Sequence, residues 1–126
     1  MWIAGEWTDA EDGSTSDVLN PATGEVIATT PKATITDVER CVAASRAALK
    51  SKEWAAMDPA QRGRILQKMA AATYANAKSL AAVESTNNGK TFREALSEIR
   101  YGAWTLEYFA GLSDKIEGST IPVPGS

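Results

Sequence analysis

Asn87-Asn88-Gly89-Lys90-Thr91-Phe92-Arg93-Glu94 is the stretch on which the fold turns. Helical patterns of apolar residues run into it from both sides, and they cannot form one helix. Asn88-Gly89 supplies a residue that accepts a left-handed backbone, the usual way for a helix to end. Thr91 and Glu94 then form a capping box, in which the hydroxyl accepts from the backbone of the new helix while the carboxylate reaches back to the cap. One helix stops and another begins within about four residues, so the second folds back along the first and the remaining elements pack around that pair.

Upstream of the turn, Asp58-Pro59-Ala60-Gln61 is a further helix start: Asp caps, Pro sits where its missing N–H costs nothing, and Gln occupies the capping-box position. Behind it Ile65, Leu66, Met69, Thr73, Ala77, Leu80 and Val83 line one face. Asn76 interrupts this stripe and marks a place for a break or kink, because its side chain competes for backbone hydrogen bonds. Glu84 falls in the same stripe, where a lone buried carboxylate is costly, so it needs Lys90, a backbone N–H or water as a partner. Further back, Thr36-Asp37-Val38-Glu39 reads as another capping box. The spacing of Val38, Cys41, Val42, Ser45, Ala48 and Leu49 predicts a helix from Asp37 to Lys50.

Ahead of the helices, Val18-Leu19-Asn20 and Glu25 to Thr30 are joined by Pro21-Ala22-Thr23-Gly24, a strand, turn, strand pattern that predicts a hairpin. Trp2 to Trp7 reads as a first strand and Asp9 to Ser16 as its polar exit loop. Downstream of the turn, the last helix is predicted from Phe92 to Ile116. At about 100 degrees per residue, Phe92, Leu96, Ile99, Ala103, Leu106 and Ala110 form one apolar stripe, which packs on the first two helices. Tyr101, Trp104, Tyr108 and Leu112 form a second stripe on the opposite side. A hairpin and two helices are too little to bury both, so the second stripe requires a partner surface, in trans or in a longer chain. The expected fold is therefore a mainly α segment with three long helices (34–118), short β strands and a hairpin before them (1–33), and an extended, interrupted end (119–126).

At 126 residues the chain is about one domain long, and 44% hydrophobic with 23% charged is an ordinary globular composition. A net charge of -3 gives no electrostatic reason for a nucleic acid or an anionic membrane. Met1 to Glu6 lacks the basic start and apolar core of a signal peptide, and no window reaches the ~18 apolar residues of a membrane span, which points to the cytoplasm. With no histidine and one cysteine, neither a zinc site of the usual ligands nor serine–histidine or cysteine–histidine catalysis is available in this chain. Cys41 lies in an apolar stripe and is expected to be a buried small hydrophobe. Glu94 and Glu98 are one helical turn apart, but Glu94 is used as a cap and neither shows a partner for acid–base work. No phosphate-binding glycine loop is present.

Ile3-Ala4-Gly5-Glu6-Trp7, Asn20-Pro21-Ala22-Thr23-Gly24-Glu25-Val26-Ile27, Trp54 to Met57 before Arg62-Gly63-Arg64-Ile65-Leu66, Asn88-Gly89-Lys90, and Tyr108-Phe109-Ala110-Gly111 with Thr120-Ile121-Pro122 occur in that order over nearly the whole chain. Together they resemble the amino-terminal part of NAD(P)-dependent aldehyde dehydrogenases. The resemblance implies an α/β parent with a Rossmann-like coenzyme domain, a catalytic domain and an oligomerisation arm, of which residues 1–126 are the opening part of the coenzyme domain. It implies an oxidoreductase in which a cysteine attacks an aldehyde, an asparagine helps hold the oxyanion, hydride passes to NAD or NADP, and a glutamate-activated water releases the acid. None of the motifs carrying those roles falls in this sequence, and Cys41 matches none of them, so no catalytic or cofactor-binding residue is assigned. The resemblance further implies a monovalent cation, K+ or Na+, held by the backbone of Val18 and Leu19 and the carboxylate of Glu98, where aspartate is the commoner residue. Its implied partners are the remainder of a dehydrogenase chain, a small aldehyde and further copies in a homo-oligomer. The alternative is a non-catalytic helical module that binds a partner through Tyr101, Trp104 and Tyr108.

Overall fold

A computed structural model describes residues 1–122 of the chain. The elements in order are β1 (Trp2–Ile3), β2 (Glu6–Trp7), β3 (Thr15–Leu19), β4 (Val26–Pro31), α1 (Ile35–Lys50), α2 (Lys52–Ala55), α3 (Pro59–Ala75), α4 (Ala77–Asn88) and α5 (Phe92–Leu112). The chain is thus mainly helical with short antiparallel strand pairs. Of the predicted extended end, 119–122 carries neither helix nor strand, and 123–126 lies outside the described residues.

The turn forms as its residues dictate. Gly89 takes φ 81°, in the left-handed region, and its N–H donates to the Ser85 carbonyl. Thr91 and Glu94 make the reciprocal capping box that opens α5. Asp58 and Gln61 do the same for α3, with Pro59 in the first turn. At Asn76 the helix breaks as expected: its amide Nδ2 and its backbone N–H both donate to the Ala72 carbonyl, at 2.8 and 3.1 Å, and α4 restarts one residue later.

α5 runs back along α3 and α4, with Gly63 facing Ala110 and Ser113 and the Tyr74 hydroxyl donating to Glu107 at 3.4 Å. The seam consists of small residues, Gly63, Ala70, Ala77 and Ala81 against Ala95, Ala103 and Ala110, all buried. A Cβ added at Gly63 would stand 2.7 Å from the Ala110 carbonyl oxygen, so the backbones touch there. This corrects the predicted stripe of α3 and α4: Ile65, Met69, Leu80 and Val83 are exposed, because helices in this close contact place alanine and glycine between them and turn the bulky residues aside. Of the α5 stripe, Ala103 and Ala110 are buried and Leu96, Ile99 and Leu106 half-buried, whereas Phe92 remains exposed.

The amino-terminal region departs further from the reading. Trp2 to Trp7 is a minimal hairpin, with Trp2 paired to Trp7 across Ala4 and Gly5. Both turn residues have positive φ, as a two-residue hairpin turn of matching twist requires. The hairpin of β3 and β4 forms as predicted, with β3 starting earlier, at Thr15, and an irregularity between Val18 and Leu19. The cap of α1 is Thr34 with Asp37, in place of Thr36 with Glu39. Asp37 is fully buried and also accepts from the Glu11 backbone N–H at 3.1 Å, which ties the preceding loop to the helix start. α1 packs on β1 and α2 and not on the α3–α5 pair as expected. The short α2 is capped by Ser51 and held to α3 by Arg62, whose guanidinium donates to the Trp54 carbonyl and lies 4.9 Å above the Trp54 ring. The last helix stops at Leu112, short of Ile116, where Ser113 Oγ donates to the Ala110 carbonyl.

Candidate functional site

Two features of α5 stand out from an otherwise solvated surface. The first is its outer face. Tyr101, Trp104 and Tyr108 are 67%, 50% and 53% exposed, and neither strand pair folds over them. The rings stack in sequence, Tyr101 on Trp104 with centroids 5.5 Å apart and Trp104 on Tyr108 at 6.0 Å, and Phe109 meets Tyr108 edge-on. Leu112 extends the strip. Helical spacing of three and four residues puts the rings in one line, and their mutual stacking orders the face. The sequence pattern located this strip correctly, including its opposition to the seam.

The second feature lies at the α4–α5 joint. The Lys90 ammonium bridges Glu84 of α4, at 3.1 Å, and Glu98 of α5. Asn88 Nδ2 donates to the same Glu84 oxygen, and the Lys90 carbonyl accepts from Ser85 Oγ at 2.7 Å. The side chain of Lys90 is about a quarter exposed, so it is more enclosed than a surface lysine. Hydrogen bonds to Glu98 and Glu84 hold its pKa above the ordinary lysine value. Glu84 thus finds one of the partners its position demanded, while the reach of Lys90 to Glu98 was not anticipated. The available signal was the spacing: a lysine directly after the left-handed glycine, with a glutamate on each flanking helix.

The residues singled out for a cation are placed apart in role. Val18 is half-buried in β3 opposite Ala28, and Leu19 is exposed opposite Val26. Glu98 engages Lys90, and among the described residues no side-chain hydrogen bond or ion pair joins Glu98 to β3. The arrangement therefore does not offer the Glu98 carboxylate to an ion at Val18 and Leu19. No group of three or more His, Cys, Asp or Glu among the described residues is placed to hold a metal. Cys41 is half-buried, not fully buried as expected, and lines a cleft of about 260 Å³ with Trp2, Ile3 and Ser45. A shallow groove of about 540 Å³ between α1 and α2 is walled by Ala48, Leu49, Trp54 and Met57, with Glu53 its sole ionisable side chain. Neither cavity assembles a nucleophile with a base. No helix among the described residues is long and apolar enough to cross a membrane.

The sequence profile of the aldehyde dehydrogenase family matches residues 7–126. The chain belongs to this family. Among curated relatives, a (Z)-2-((N-methylformamido)methylene)-5-hydroxybutyrolactone dehydrogenase of Acinetobacter baylyi is 46% identical over 98% of this chain and 25% of its own length. A cytosolic 10-formyltetrahydrofolate dehydrogenase of Xenopus tropicalis is 40% identical over 98% of the chain and 14% of its own length. Among solved structures, betaine aldehyde dehydrogenase of Staphylococcus aureus in complex with NAD+ superposes with a TM-score of 0.90 at 34% identity, over 98% of this chain and 25% of that one. An NAD-dependent aldehyde dehydrogenase of Sinorhizobium meliloti superposes at 0.89 with 38% identity, over 94% and 24%. The chain spans about a quarter or less of these aldehyde dehydrogenase relatives, and its helices and strand pairs are the amino-terminal portion of the family fold.

Proposed function

We propose that this chain is the amino-terminal part of the coenzyme-binding domain of an NAD-dependent aldehyde dehydrogenase, an oxidoreductase that converts an aldehyde to a carboxylic acid. The observation that carries this reading is the continuous match over residues 7–126, which extends to superposition on a relative solved with NAD+. NAD, when bound, accepts the hydride. Residues 1–126 contribute architecture: the seam of α3, α4 and α5 fixes a rigid wall, and α5 presents its aromatic strip to the remainder of a longer chain. No residue here is assigned to catalysis or to the coenzyme, because no described cavity pairs a nucleophile with a base. A cytoplasmic location and a homo-oligomer of full-length chains complete the reading, the former supported by the cytosolic relative.

The test compares the 126-residue chain with a full-length chain in assays of NADH formation with several aldehydes and of NAD binding by calorimetry. Activity and binding are expected in the long form alone. Turnover by the short chain that Cys41→Ser abolishes would refute the assignment. The exposed strip of Tyr101, Trp104 and Tyr108 supports a second reading, a non-catalytic module that captures a partner on that face; a full-length chain with no NAD-linked activity and an open strip would favour it.

A further inference from the structure

We propose that the Lys90 ammonium is a tethered replacement for a monovalent metal ion at the α4–α5 joint, so that this chain closes the joint without K+ or Na+. The inference rests on the family reading, which makes Glu98 a cation-binding carboxylate. The geometry gives that carboxylate another partner: one ammonium is shared between Glu84 and Glu98, carboxylates of two different helices. Lys90 is aimed there by its backbone. Its N–H donates to Asn88 Oδ1 at 3.0 Å, its carbonyl accepts from Ser85 Oγ, and Gly89 before it is fixed in the left-handed turn. Asn88 orients Glu84 in addition. Glu94, the remaining acidic group of the first turn of α5, is occupied by Thr91 and does not compete.

An ion from solution must give up water and translational freedom each time it binds, whereas a lysine on a pinned backbone is already in place. Glutamate in place of aspartate at position 98 adds the methylene that lets the carboxylate reach across to Lys90. With the ammonium seated, a second cation at Glu98 meets a like charge and a carboxylate already in use.

Thermal unfolding of the full-length protein in KCl, NaCl and choline chloride at equal ionic strength tests this, for wild type, Lys90→Met and Glu98→Asp. The wild-type midpoint is expected to be the same in all three salts. Lys90→Met removes the charge while keeping the chain's bulk, and Glu98→Asp withdraws the carboxylate from the ammonium without threatening an exposed helical position. At least one of the two variants is expected to melt higher in KCl or NaCl than in choline chloride, by about 2 °C or more. A wild-type midpoint raised by either alkali ion overturns the proposal, as does indifference of both variants. If Lys90→Met does not fold, Glu98→Asp decides alone. Aldehyde-dependent NADH formation by the wild type separates the two readings: its absence refutes the proposed function and leaves the melting comparison intact.

Discussion

Gly63→Ala measures the closeness of α3 and α5 directly. In the interior of a helix, alanine is favoured over glycine by about 1 kcal/mol, so an isolated helix would gain from this change. Here the new Cβ would stand 2.7 Å from the Ala110 carbonyl oxygen and 2.4 Å from Ser113 Oγ. The serine can rotate aside, but the carbonyl is backbone, so the helices must part by several tenths of an ångström and loosen the contacts at Ala70, Ala103 and Ala110. Overpacking of this kind costs about 1–3 kcal/mol, which leaves a net destabilisation of about 1–2 kcal/mol. Gly102→Ala is the control. It lies within α5, and nothing stands within 4 Å of an added Cβ, so the propensity gain is expected undiminished, at about 0.5–1 kcal/mol. The difference between the two variants cancels helix propensity and isolates the seam. Urea unfolding followed by far-ultraviolet circular dichroism, with slopes compared to confirm a common unfolded state, gives both values. Equal stabilisation by the two alanines would refute backbone contact at Gly63, and with it the account of why the bulky residues of α3 face outward.

Gly89→Val is expected to cost about 1–3 kcal/mol, since φ 81° is hostile to a β-branched residue and its Cβ would also press on Pro21, whereas Lys90→Ala should cost less; equal denaturation midpoints would count against the turn as described. The Asp37 carboxyl is held below its ordinary pKa by hydrogen bonds from Thr34 and Glu11, so its contribution is present above pH about 4 and is lost as pH falls through the lowered folded value. Asp37→Asn should therefore be less stable at neutral pH and lose less on acidification than wild type, and parallel pH profiles of the unfolding midpoint would contradict this. Without the rest of a dehydrogenase around it, the 126-residue chain should self-associate or bind a hydrophobic dye through Tyr101, Trp104 and Tyr108, and the double substitution Trp104→Lys with Tyr108→Lys should restore a monomer in light scattering. A monomeric, dye-silent wild type that the double substitution unfolds would make that strip internal.

Features set by neighbouring residues were readable in the sequence. The Gly89 turn, the Thr91–Glu94 and Asp58–Gln61 caps and the Asn76 break each depend on groups within four residues of one another. Choices made at long range were not. Thr34–Asp37 and Thr36–Glu39 both satisfy the capping pattern, and the decision falls to the Glu11 N–H, distant in sequence, which only Asp37 meets. Hydrophobic size misled for α3 and α4, because a wheel ranks Ile65, Met69 and Val83 above Gly63 and Ala70 while the contact favours whatever permits close approach. The positive φ of Ala4, which makes a hairpin of Trp2 to Trp7, has no signature in an alanine. At the joint the partner of Glu84 was legible from local spacing, but the second arm of Lys90 depended on how far α5 folds back.

The seam of glycine and alanine has a consequence for alignment. Gly63, Ala70 and Ala77 recur at seven-residue intervals, as do Ala103 and Ala110. A surface this smooth looks nearly the same after a slide of one heptad, about 10.5 Å along the axis. It has no knob that fits one hole and refuses the next, so the contact itself discriminates weakly between the native pairing and its shifted copy. The choice is made at the end of the hairpin of helices, where a turn of fixed length and the Lys90 bridge admit a single offset. Adhesion and registration are thus divided between different parts of the molecule: the interior supplies grip without address, and a few residues at the bend supply the address.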